Sequence, residues 1–178
     1  MPTIFSHAVF AAVTGKSLLE KNFSVWFWLL TATCATIPDA DVAGFGFGVK
    51  YESMFGHRGF THSIFFALLF GGLVAFFVRN FLKSELSLAK LFIFFSLATL
   101  THPLLDMLTN GGLGVALFAP FSDERFFFPW RPIEVSPIGV GFFSSRGLDV
   151  ILSEILWIWI PAIVILIAAK TVRKIKNN

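Results

Sequence analysis

Two stretches of this chain, residues 60–78 and 150–169, run for about 20 residues with almost nothing that ionises. His62 is the only ionisable side chain in the first; the second holds Glu154 near its start and Pro161 inside. Apolar runs of that length match the hydrocarbon thickness of a bilayer. Residues 23–37 and 91–105 are shorter, contain no acid, Lys or Arg, and extend by a turn at their polar ends. Residues 3–14 span only if a helix runs on through Gly15 to Leu19; otherwise they lie in the interface. The whole chain agrees with a membrane setting: 56% of its 178 residues are hydrophobic, 14% are charged and 24 are Phe. Mean hydropathy is +0.77. One small soluble core cannot hide that much apolar surface. Disorder is excluded by the same composition, and a disulfide scaffold by the single Cys34. No Lys or Arg precedes residue 16, which argues against a secretory signal peptide.

The expected fold is an all-α integral membrane protein, one domain over residues 1–178. It is a bundle of about five transmembrane helices, or four plus one interfacial helix. Residues 107–149, rich in Gly and Pro (Pro120, Pro129, Pro132, Pro137), read as an outer-face cap of turns.

Orientation follows from Lys and Arg. One set of helix ends carries Lys16, Lys21, Arg79, Lys83, Lys90, Lys170, Arg173, Lys174 and Lys176, opposed only by Glu20 and Glu85. That face is expected in the cytoplasm, with the chain in the inner membrane. The opposite face holds Lys50, Arg58, Arg125, Arg131, Arg146 and nine acids. The net charge of +3 comes from bases flanking helix ends, where they meet anionic lipid. No basic patch interleaved with aromatics is present, so no nucleic-acid partner is expected.

Topology drawn from Lys and Arg alone gathers a different set of residues on the outer face. His7 lies early in the first helix, and Asp39 and Asp41 follow the second in Ile37-Pro38-Asp39-Ala40-Asp41. His57 is expected in the loop before the third helix and His62 in its first turn, and His102 and Asp106 close the fourth. His102 and Asp106 are four apart and share a helical face. Pro38 is expected to end helix 2 and leave Asp39 and Asp41 on a stiff extended turn. Gly59 lets the backbone turn, and Thr61 is a candidate N-cap for the third helix. Imidazole and carboxylate are the usual ligands of zinc, manganese and iron. Three ionised carboxylates and four neutral imidazoles repel one another, and two divalent cations bring the set near neutrality. A two-metal site polarises a substrate oxygen and lowers the pKa of bound water to about 7. The expected metal ligands are therefore His7, Asp39, Asp41, His57, His62, His102 and Asp106, holding two zinc or manganese ions. Arg58 is a candidate for stabilising an anionic substrate or anchoring a headgroup, Thr61 and also Asp41 for orienting a ligand, and Glu154 for a general base, a further ligand or equally the partner of an outer Arg.

Zincin, Walker and nucleophile-elbow motifs are absent, as is the His-Asp dipeptide of soluble phosphohydrolases. The block His57-Arg58-Gly59-Phe60-Thr61-His62-Ser63 is specific. With Pro38-Asp39-Ala40-Asp41 before it and His102-Pro103-Leu104-Leu105-Asp106 after it, the chain resembles the bacterial inner-membrane family described as metal-dependent hydrolases and as LexA-binding. The resemblance covers most of the chain and implies a multi-pass protein with metal-dependent hydrolase activity. The family's motif positions fall here on Asp39, Asp41, His57, Arg58, Thr61, His62, His102 and Asp106, and more loosely on His7. A regulatory partner in the cytoplasm does not suit a site on the outer face, and that implication is not carried over.

The function expected is hydrolysis of an ester, foremost a phosphoester of a lipid or lipid-linked small molecule, because the site lies at headgroup level. Membrane lipid is then both solvent and partner. Two other classes compete: a metal-binding or transport protein without chemistry, which places ligands near the midplane, and a scaffold whose polar cluster only joins helices.

Overall fold

The computed structural model describes residues 1–19, 23–137 and 139–176 of the chain. Glu20 and Lys21, counted in the charge bias above, lie outside the described residues, as does Ile138 within the cap. Five helices make up the fold: α1 (Ile4–Leu18), α2 (Val25–Thr36), α3 (Ile64–Asn80), α4 (Leu88–Asp106) and α5 (Ser145–Lys176). A π-helical turn, Ile155–Trp159, interrupts α5 directly after Glu154. Among the described residues there is no sheet, only two isolated bridges, Thr109 with Ile133 and Val115 with Phe126.

Hydroxyl side chains start four of the five helices. Thr3, Ser24, Ser63 and Ser87 each accept the N–H of the residue three further on, satisfying a donor that the first turn leaves orphaned. The cap of α3 is thus Ser63 and not Thr61, whose hydroxyl is engaged in the site described below. Residues 39 and 41 also depart from expectation. Pro38 opens a 3-10 helix, Ile37–Phe47, in place of an extended turn, because proline's fixed φ suits the first turn of a helix.

α4 lies at the centre and packs on α1, α2 and α3. Its contact with α3 is close at Gly71, where a Cβ would stand 2.4 Å from the Ser96 nitrogen. Phe27, Cys34, Val74, Val78, Leu91, Phe94 and Phe95 fill the space between these helices. α5 is peripheral and turns Ile163, Val164, Ile165 and Ile167 outwards. An apolar outward face is what lipid solvates.

Two helices, α4 and α5, are long and apolar enough to cross a membrane, and α3 is a shorter apolar helix. At 1.5 Å per residue α1 and α2 reach only about 22 and 18 Å, short of the roughly 30 Å hydrocarbon core. The cap is also shorter than expected, because α5 begins at Ser145.

Consecutive helices α1 to α4 alternate in direction. The start of α1, the end of α2, the start of α3 and the end of α4 therefore meet at one end of the bundle. Lys16, Arg79 and Arg173 are at the other, where the Arg173 guanidinium donates to the Ser17 carbonyl.

Candidate metal centre

Four ligand-type side chains meet at that first end. His62 Nε2 and His102 Nε2 lie 3.1 Å apart. Asp39 Oδ1 is 3.5 Å from His62 Nε2 and 3.2 Å from His102 Nε2. Asp106 Oδ2 is 3.5 Å from His62 Nε2 and 4.0 Å from His102 Nε2. Edges of about 3.3 Å are what four ligands at 2.0–2.1 Å around a tetrahedral ion require. These four groups satisfy the distance test for holding one ion, and so does a second set, Asp41, His57 and His62.

The hydrogen bonds around the first set decide which nitrogen carries each proton. His102 Nδ1 is 2.7 Å from the Ala35 carbonyl, which can only accept, so Nδ1 is protonated and Nε2 presents a lone pair. The Thr61 hydroxyl donates to Asp41 Oδ2 at 2.7 Å. His62 Nδ1 lies 3.1 Å from Thr61 Oγ1 and 3.2 Å from Asp41 Oδ2, so both its partners accept, Nδ1 is protonated, and in the neutral ring Nε2 is also a lone pair. Two lone pairs at 3.1 Å repel unless a cation lies between them. All four carboxylate oxygens of Asp39 and Asp106 are buried without a hydrogen bond. A divalent ion satisfies both imidazoles and both carboxylates at once, and the second-nitrogen bonds are the usual support for such a ligand.

Asp41 belongs to the second set in a different way. Its Oδ1 lies 2.8 Å from His57 Nδ1, and its Oδ2 takes the Thr61 hydroxyl. These are hydrogen-bond lengths, shorter than ligand edges, and they make Asp41 the carboxylate that orients two imidazoles. Burial alone raises its pKa; the bonds from His57 and His62 outweigh that and bring it down to about 2. It is an ionised acceptor at neutral pH.

Arg58 is wholly buried and sits in the left-handed region at φ 63°. Its Nε pairs with Asp106 Oδ2 at 3.1 Å. Nη1 donates to the Gly111 and Leu113 carbonyls at 3.0 and 2.8 Å, and Nη2 to Thr109 Oγ1 at 2.9 Å. The guanidinium therefore ties Asp106 to the cap, and its donors are engaged within the protein. It also changes the charge balance. Counting side chains alone, three carboxylates against one buried guanidinium leave two negative charges, the magnitude one divalent ion carries.

His7 enters the cluster from α1. Its ring stacks on His102 at 3.7 Å, and its Nε2 is 3.5 Å from Asp106 Oδ1, the oxygen turned away from the four-atom set. It lies beside both distance-qualified groups and belongs to neither, with both ring nitrogens buried and without a hydrogen bond. Glu154 is not in the cluster at all. Its carboxylate accepts the backbone N–H of Thr3 and the hydroxyls of Thr3 and Ser6, the latter two at 2.6 Å. It clamps the start of α1 to α5, and its oxygens are engaged there and not at the cluster where a general base was expected.

Two supports had no sequence signal. The Ala35 carbonyl is one of the last four of α2, free because the helix ends at Thr36. Arg125 spends both Nη groups on the carbonyls of Tyr51, Ser53, His57 and Gly114, fastening the His57 loop to the cap.

The chain matches the YdjM inner membrane protein family over residues 1–176. It belongs to that family. The YdjM assignment agrees with the resemblance drawn from the 57–63 block and makes this an inner membrane protein. Inner membrane protein YbcI of Escherichia coli (strain K12) is a relative 39% identical over 167 residues, covering 93% of this chain and 95% of YbcI. No solved structure matches.

Proposed function

We propose that this YdjM-family protein is a membrane-embedded metal-dependent hydrolase acting on an ester, foremost a phosphoester, with its site at the extracytoplasmic end of the bundle. One observation carries the reading: four convergent ligand atoms with buried, unbonded carboxylates, and with the far nitrogen of both imidazoles already bound to acceptors. Asp39, His62, His102 and Asp106 would hold a zinc or manganese ion. When bound, such an ion supplies Lewis acidity and an acidified water. The chain's own residues do the rest. Asp41 and Thr61 fix His62, Ala35 fixes His102, and Arg58 holds Asp106 while fastening the cap that limits water. His7 keeps Asp106 Oδ1 company and is the nearest unbonded imidazole to the reacting centre.

Confinement of the cluster to one end favours chemistry over transport, which needs a path to both faces. The Lys and Arg bias supports placing that end outside the cytoplasm. The second group, Asp41, His57 and His62, keeps a two-ion centre as the other reading, and ion counting separates them.

The test is elemental analysis of detergent-purified protein beside a His102→Ala/Asp106→Ala variant, with hydrolysis of phosphoester and carboxylester reporters on the same samples. One ion per chain, lost with activity in the folded variant, is expected. No ion in either protein after incubation with zinc and manganese overturns the reading.

A further inference from the structure

The loops at the site end expose aromatic rings that water would not favour. Phe121 is 82% exposed and Phe55 68%. Phe121 forms the rim of an apolar groove of about 230 Å³ between the first turns of α3 and the cap, lined by Ile64, Phe65, Leu68, Leu117 and Phe118. None of these side chains is polar.

Both ends of this groove are defined. Its lower end runs on into the outward face of α3, where Phe65, Leu69, Leu73 and Phe76 follow one another at helical spacing and are exposed. In a bilayer that exposed apolar face would meet lipid chains. Its upper end is the wall of the metal centre. Ala116 donates its N–H to the Arg58 carbonyl at 2.9 Å, and Leu117 accepts the Ile64 N–H at 3.0 Å, so one short piece of cap borders both the centre and the groove. A row of rings marks the same line: Phe55 to Phe60 at 6.0 Å, Phe60 to Phe65 at 6.1 Å, Phe65 to Phe121 at 5.8 Å.

We propose that this groove seats one acyl chain of a bilayer lipid and so presents the lipid's headgroup linkage to the metal centre. The inference rests on the hydrolase reading and deepens it by naming a lipid as the substrate class. A lone hydrocarbon chain fits the volume, which is below the range of roughly 300–1,000 Å³ typical of drug-sized ligands. A lipid enters sideways from the face of α3 without passing through water, and an all-apolar lining has nothing to offer a polar ligand.

The experiment uses the full chain in vesicles of phosphatidylethanolamine and phosphatidylglycerol, doped with phosphatidylglycerol bearing a diazirine on one acyl chain a few carbons below its carbonyl. After irradiation, labelled residues are located by mass spectrometry, and metal content is measured on the same sample. Label is expected to concentrate on residues 64–68 and 117–121, above the level on the equally apolar outward face of α5. Leu68→Trp, at an exposed position, fills the groove and should lower that label by about tenfold, the factor lost with roughly 1.4 kcal/mol of contact. Metal content should not change. Label spread evenly over α3 and α5, or untouched by Leu68→Trp, overturns the groove while leaving the metal reading standing. Concentrated label on a chain that takes up no metal overturns the hydrolase reading and leaves a lipid-binding groove.

Discussion

Asp41→Asn changes one atom type and separates the two ways of using the second group. As an orienting carboxylate, Asp41 accepts from three donors: His57 Nδ1 at 2.8 Å, the Thr61 hydroxyl at 2.7 Å and His62 Nδ1 at 3.2 Å. An amide keeps one acceptor oxygen and turns an NH2 towards the remaining donors. At least one bond is lost and replaced by donor facing donor. Supporting bonds of this kind are worth about 10–100-fold in metal affinity, or roughly 1.4–2.8 kcal/mol. The expected outcome is one ion per chain in both proteins, with the variant's affinity lowered by that factor. The assay is competition against a chelator of known zinc affinity, followed by elemental analysis at saturation. As a ligand of a second ion, Asp41 would behave differently: the wild type would hold two ions and the variant one, with the remaining ion's affinity little changed. That stoichiometry would refute the orienting role and the charge balance that assigns Arg58 to the cluster.

Arg58→Lys keeps the charge but not the fork that reaches Asp106, two carbonyls and Thr109 together. Breaking a buried pair costs about 3–5 kcal/mol, so thermal unfolding should fall by roughly 10 °C. An unchanged Tm with lost turnover would return Arg58 to a substrate-facing role. Glu154→Ala removes the acceptor of Thr3 and Ser6 at the start of α1, leaving buried donors at about 1–3 kcal/mol each. Lower Tm with full metal occupancy is expected; loss of the ion at unchanged Tm would place Glu154 in the centre after all.

How far the sequence could be read is best seen in the block from His57 to Ser63, where every residue has a separate task. His57 bonds Asp41. Arg58 takes a left-handed backbone and clamps Asp106 to the cap. At Gly59 a Cβ would stand 2.1 Å from the Met54 carbonyl oxygen, so no other side chain fits. Phe60 joins the ring row, Thr61 donates to Asp41, His62 turns Nε2 to the centre and Ser63 caps α3. The sequence showed that the His and Asp residues share an end, because helix direction and Lys/Arg bias are local properties. It also showed His102 and Asp106 on one face, because that is helical period. Which of two hydroxyls caps α3 was not legible. Thr61 and Ser63 are equally good caps locally, and the choice is made by Asp41, twenty residues away in sequence. Nor was the burial of Arg58, since its acceptors at Gly111 and Leu113 are backbone carbonyls that any residue supplies. That single misplacement propagated. With Arg58 counted as a free substrate anchor, the carboxylates demand two divalent ions; with Arg58 inside the cluster, one ion suffices. The number of ions therefore turns on where one guanidinium lies, a long-range fact that follows from the cap's path and not from ligand spacing.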